Sequence, residues 1–163
     1  MAELTNLETK LGEVLGLAMA AQGATEKVSK LDDLDQELVR GLERMHGEAK
    51  EAEERATKVA ENFEGKKTAI LDEAREVKKK ATEMMQDYLD AESDGLDGFE
   101  FLTMAEAGEV GHWEILKTLN ERAGDKSVKE LVDWGIPIQE RHLELVRQGS
   151  LKLAAEEDPN ETS

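Results

Sequence analysis

Phe99-Glu100-Phe101-Leu102-Thr103-Met104-Ala105-Glu106-Ala107-Gly108-Glu109-Val110-Gly111-His112-Trp113-Glu114-Ile115-Leu116 is the stretch on which the fold turns. Steps of three and four residues from Phe99 reach Leu102, Glu106, Glu109, Trp113 and Leu116, which is the period of one helix face. Two carboxylates interrupt that apolar stripe, with His112 beside them, and such groups are costly to bury without a partner. Glu109 and His112 also have the Glu-x-x-His spacing by which helix bundles hold pairs of metal ions. The stretch predicts a helix that faces a core and carries chemistry on its inward side.

Similar stripes on either side predict four more helices. The first runs from about Leu4 to Gln22 through Leu7, Leu11, Val14, Leu15, Ala18 and Ala21, and Thr5 opens a Thr-Asn-Leu-Glu capping box. Gly23 and residues Thr25 to Ser29 read as a turn. The second, about Asp32 to Phe63, repeats Leu38, Leu42, Met45, Ala49, Ala52, Ala56 and Val59, close to a bundle seam. The third, about Lys67 to Leu89, repeats Ile70, Ala74, Val77, Ala81, Met84 and Tyr88. Ser93 to Gly98 reads as a turn by composition. The fourth helix is the opening stretch, ending near Ala123-Gly124. The fifth is capped by Asp125-Lys126-Ser127 and runs to about Glu157, with an expected kink at Pro137.

Short connections favour antiparallel neighbours, so the first and second helices and the fourth and fifth form hairpins, joined through the third. The alternative is one rod running through Gly65, since a single glycine costs a helix only about 1 kcal/mol. The expected fold class is all-α: an antiparallel four-helix bundle with an additional helix in its crossover connection. Residues 1–157 form one domain and residues 158–163 a flexible tail.

Composition narrows the function classes. The 163 residues contain no cysteine, so disulfides and thiolate metal sites are excluded. Acidic residues number 38 against 21 basic, a formal net charge of −17, which repels nucleic acid and anionic lipid and suits a basic protein partner. No apolar run approaches the ~20 residues that span a bilayer. The first residues lack a basic region followed by an apolar one, so a cytoplasmic protein without a leader is expected. Neither a Gly-x-Ser-x-Gly elbow nor a phosphate loop is present.

His142 lies on the fifth helix's stripe, and Gln139-x-x-His142 mirrors Glu109-x-x-His112 with an amide in place of a carboxylate. Glu43 and His46 repeat the spacing on a face that reads as solvated. Glu8 is a candidate inward carboxylate of the first helix. Trp113, Trp134, Met84 and Met85 are expected to pack.

Two segments carry a family resemblance. Phe63-Glu64-Gly65-Lys66-Lys67-Thr68-Ala69-Ile70-Leu71-Asp72-Glu73-Ala74 is similar to a Gly-Lys-Lys segment that opens the connecting helix of the ferritin-like superfamily's YciE/YciF branch, small bacterial stress-associated proteins. Val110-Gly111-His112-Trp113-Glu114-Ile115 resembles the Val-Glu-His-Tyr-Glu-Ile signature of that branch. The resemblance implies a ferritin-like bundle and a dimetal site, but its departures fall on the ligands. Gly111 stands at the signature glutamate, Ala20-Ala21-Gln22 at an Ala-Glu-x-Gln motif, Arg55 at a histidine, and Gln139 at the first of two glutamates, while Glu140 remains.

Glu106 and Glu109 are placed to replace the lost carboxylate from neighbouring turns. Gly108 and Gly111 are expected to allow close helix approach. If metal binds, iron or manganese is expected on Glu106, Glu109 and His112, with Glu140 and His142 opposite. The expected function is a stress-associated, self-associating protein, a homodimer, with a degenerate or shifted metal site. The alternatives are a di-iron oxidoreductase of ferroxidase type and a metal-free adaptor that binds a basic partner.

Overall fold

The computed structural model describes residues 2–162; Met1 and Ser163, the outer ends of the expected domain and tail, lie outside the described residues. Five helices account for most of the chain: α1 (Asn6–Ser29), α2 (Gln36–Glu61), α3 (Lys67–Tyr88), α4 (Gly95–Ala123) and α5 (Lys126–Ala155). Thr5 caps α1 with the expected box, its hydroxyl accepting from Glu8 N–H while the Glu8 carboxylate accepts from Thr5 N–H. Asp35, Asp94 and Asp125 cap α2, α4 and α5 in the same way, each carboxylate accepting a backbone N–H of the first turn.

Two boundaries differ from the sequence expectation, and the break between α2 and α3 falls where it was expected. α1 does not turn at Gly23 but continues to Ser29, because Ala24, Thr25 and Val28 extend its buried stripe. That burial outweighs the cost of one helical glycine. The segment read as a turn at Ser93 to Gly98 already contains the start of α4, since Asp94 and Asp97 form a capping box. α2 and α3 are separate helices, not a rod. Gly65 between them has φ +74°, a conformation that leaves the helical ladder and that glycine adopts without a Cβ clash. Pro137 lies inside α5, which continues on both sides of it.

α1 and α2 form one antiparallel hairpin and α4 and α5 another. α1 also packs on α4, and α2 on α5, closing a four-helix ring in which neighbours run in opposite directions. α3 lies outside that ring, parallel to α1, and carries the chain from one end of the bundle back to the other. It approaches α1 tightly at Gly16, where a Cβ would stand 2.3 Å from the Ala74 carbonyl oxygen. The expected roles of Gly108 and Gly111 in helix approach are not met, because a Cβ at either would touch nothing within 4 Å.

The core has two parts. One gathers Leu11, Leu15, Ala56, Ile70, Trp113, Leu116 and Leu131. The other gathers Val28, Leu42, Met45, Phe99, Leu102 and Val146. Between them, midway along the bundle, the buried side chains are polar: Glu106 and Glu109 from α4, Gln139 and His142 from α5. At the C-terminus, Asp158 to Glu161 forms an exposed turn after α5. No helix among the described residues is long and apolar enough to cross a membrane.

Candidate functional site

The polar layer is built by two helices that face each other. Glu106 and Glu109 are one turn apart on α4, and Gln139 and His142 one turn apart on α5, so antiparallel packing sets the pairs across from each other. Gln139 Nε2 donates to Glu106 Oε2 at 2.7 Å, a fully buried hydrogen bond. His142 Nδ1 lies 3.9 Å from the same oxygen, beyond hydrogen-bond reach. On its other side, His142 Nε2 is 3.1 Å from Glu48 Oε1 on α2. Glu48 is an acceptor, so Nε2 carries the proton. Arg141 donates to the second Glu48 oxygen at 3.0 Å, and Arg44 lies 3.6 Å from the first.

Electrostatics follow from depth. Burial raises the Glu106 carboxyl to about 7, against the hydrogen bond from Gln139, which pulls it down. Burial also pushes Glu109 well above the ordinary carboxyl value, and the neighbouring Glu106 charge pushes it further. No group among the described residues donates a hydrogen bond to Glu109, although it is 4 % exposed. Burial lowers His142 despite the opposing pull of Glu48, so its ring is held neutral.

Glu109 opens onto a groove between α1, α3 and α4. The groove encloses about 230 Å³ and is lined almost wholly by apolar side chains, among them Leu17 and Ala24 from α1, Ala81 and Met85 from α3, and Leu102 from α4. Met84 and Met104 stand at its rim, both about half exposed or more. Met84 therefore does not pack as expected, whereas Met85, Trp113 and the half-buried Trp134 do, the last under Arg55 at 4.4 Å.

Of the five residues expected around a metal, the structure buries Glu106, Glu109 and His142 at the same level of the bundle. His112 is rotated off the inward stripe; its side chain is 39 % exposed, with Nδ1 3.2 Å from Lys10 Nζ and 3.4 Å from Glu13. Glu140 is exposed, because the residue after inward-facing Gln139 is turned by about 100° around α5. Glu8 is buried, but its carboxylate serves the α1 cap and Lys66. Burial pushes its carboxyl up, yet the Thr5 hydrogen bonds and Lys66 hold it below the ordinary value. His46 Nδ1 faces the Gln22 carbonyl at 2.9 Å, and Glu43 is exposed.

Glu48 was not singled out from the sequence. Its one signal is the Arg44-x-x-x-Glu48 spacing, which every charged helix repeats many times.

The donors present do not fit a pair of metal ions. Such centres take carboxylates from all four helices and histidines from two. Here α1 brings only Ala18 and Ala21 to the interior at this level, the one α2 carboxylate at the layer, Glu48, is taken up by His142 and Arg141, and Gln139 is spent as a donor to Glu106. Among the described residues, no three histidine, aspartate or glutamate side chains are gathered as a cation would need. No protein-family model, curated protein or solved structure matches the chain.

Proposed function

We propose that this chain is a ferritin-like bundle of the stress-associated kind, in which a hydrogen-bonded polar layer takes the place of a dimetal centre, and that it acts by binding rather than by oxidation. The observation that carries the reading is the Glu106–Gln139 hydrogen bond at mid-bundle, between the two halves of the apolar core. Bundles place cofactors at that height. Here the amide occupies one oxygen of the carboxyl that would otherwise face a cation. One helical crossover, α3, joining two antiparallel hairpins supports the ferritin-like part of the proposal.

Self-association as a homodimer belongs to the same proposal, supported by the exposed Tyr88, Ile115 and Leu151. The −17 charge suits a basic protein as a further partner.

Metal analysis of protein purified without chelator tests the reading. The expected content of iron and manganese is far below one ion per chain. Two ions per chain would overturn it and restore the di-iron oxidoreductase.

A further inference from the structure

We infer that the groove between α1, α3 and α4 binds a small aliphatic amine, its ammonium seated on Glu109 beside Glu106 and its chain laid along the apolar walls. Glu109 is buried, has no hydrogen-bond donor of its own among the described residues, and opens into this space. A buried carboxyl without a partner costs the fold free energy, and an ammonium that displaces the proton held on Glu109 supplies both the opposite charge and the missing donors.

The nearest cation at that end of the groove, Lys10, is already paired with Glu13 and lies 3.2 Å from His112. The net charge of −17 enriches cations around the chain, whereas it repels an aliphatic acid.

Shape selects the rest of the ligand. From Phe101 to His112 the groove follows α4 for about 16 Å at the helical rise per residue, long enough for an extended alkyl chain. Its volume of about 230 Å³ lies below the ~300 Å³ at which pockets for drug-sized ligands begin, which suits a single alkyl chain and is too small for a packed helix. Small residues keep it open: Ala24 and Ala81 face it, and Gly108 has nothing within 4 Å of where its Cβ would be. Met84 and Met104 at the rim offer unbranched, polarizable side chains that adapt to an aliphatic surface.

Titration calorimetry with n-octylamine, using 1-octanol as the uncharged comparison, tests the site. The amine should bind saturably, one per chain, and at least about tenfold more tightly than the alcohol, the margin expected of a buried charge-assisted hydrogen bond. Glu109→Gln keeps the shape and should weaken the amine by a similar factor while leaving the alcohol unchanged. Ala81→Leu should block both ligands with Glu109 intact, and thermal melts establish that each variant is folded. Equal affinity for amine and alcohol, amine binding unaffected by Glu109→Gln, or no saturable binding to the wild-type chain would each overturn the inference. A homodimer that covers the groove and excludes the amine would overturn it as well.

Discussion

Glu106 and Glu109 hold protons that carboxyls at the surface have lost, and the sign of the consequence follows from linkage. Both carboxyls are raised in the folded chain, Glu106 to about 7 from an ordinary 4.5, with burial the first cause. Between those values the folded state binds more protons than the unfolded one, so stability falls as pH rises through that window, and further above it for Glu109. The two carboxyls therefore favour a higher melting temperature near about pH 5 than near about pH 8. His142, lowered by burial, acts in the opposite sense as pH falls below its ordinary 6.5. Repulsion among the surface acids acts in the same direction as the two carboxyls, so the variant isolates the buried contribution. Glu109→Gln should stabilise the chain at the higher pH and lose that advantage at the lower. An advantage independent of pH would contradict the account.

The stripe Leu102-Glu106-Glu109-Trp113 made both carboxylates legible, because three- and four-residue steps report facing directly. Its neighbour His112 was not legible in the same way. An i, i+3 step moves about 60° around the helix, enough to carry a side chain from the core to the rim. The role of Glu48 depends on which residue of α5 stands opposite, and sequence spacing holds no such information.

At the scale of the elements, helix ends and helix contacts obey different signals. The Thr5 box and the Asp125 cap could be read because capping is local chemistry between residues three apart. The continuation of α1 past Gly23 could not, because it rests on packing of Val28 and Leu31 around Gly98, whereas the Asp94–Asp97 box that starts α4 is the same local chemistry hidden among turn-forming residues. Glycines divide in the same way. At Gly16 a Cβ would enter the α3 backbone, so Gly16→Ala should destabilise the chain by about 1–3 kcal/mol, the range for overpacking. At Gly111 the space is open and the backbone helical, so Gly111→Ala should stabilise it by about 0.5–1 kcal/mol. Chemical denaturation of the two variants checks both signs. A destabilised Gly111→Ala would mean that something packs there.

For the whole molecule, five helices in two antiparallel hairpins with one helical crossover were legible from periodicity and connection length, and the break at Gly65 settles the choice against a rod. What periodicity could not convey is that the core is divided by a polar layer in which Gln139 pairs with Glu106 and His142 with Glu48 across α2, α4 and α5. The account's central claim is that this layer replaces a metal centre, and Gln139 is its pivot. Anaerobic ferrous titration of the wild-type chain beside Gln139→Glu, followed by exposure to oxygen, tests it most directly. The account predicts no saturable iron binding and no oxygen uptake by the wild-type chain. It predicts weak binding only in Gln139→Glu, where a third carboxyl joins Glu106 and Glu109 beside His142. Two ferrous ions bound per wild-type chain, with oxygen consumed as they oxidise, would contradict it.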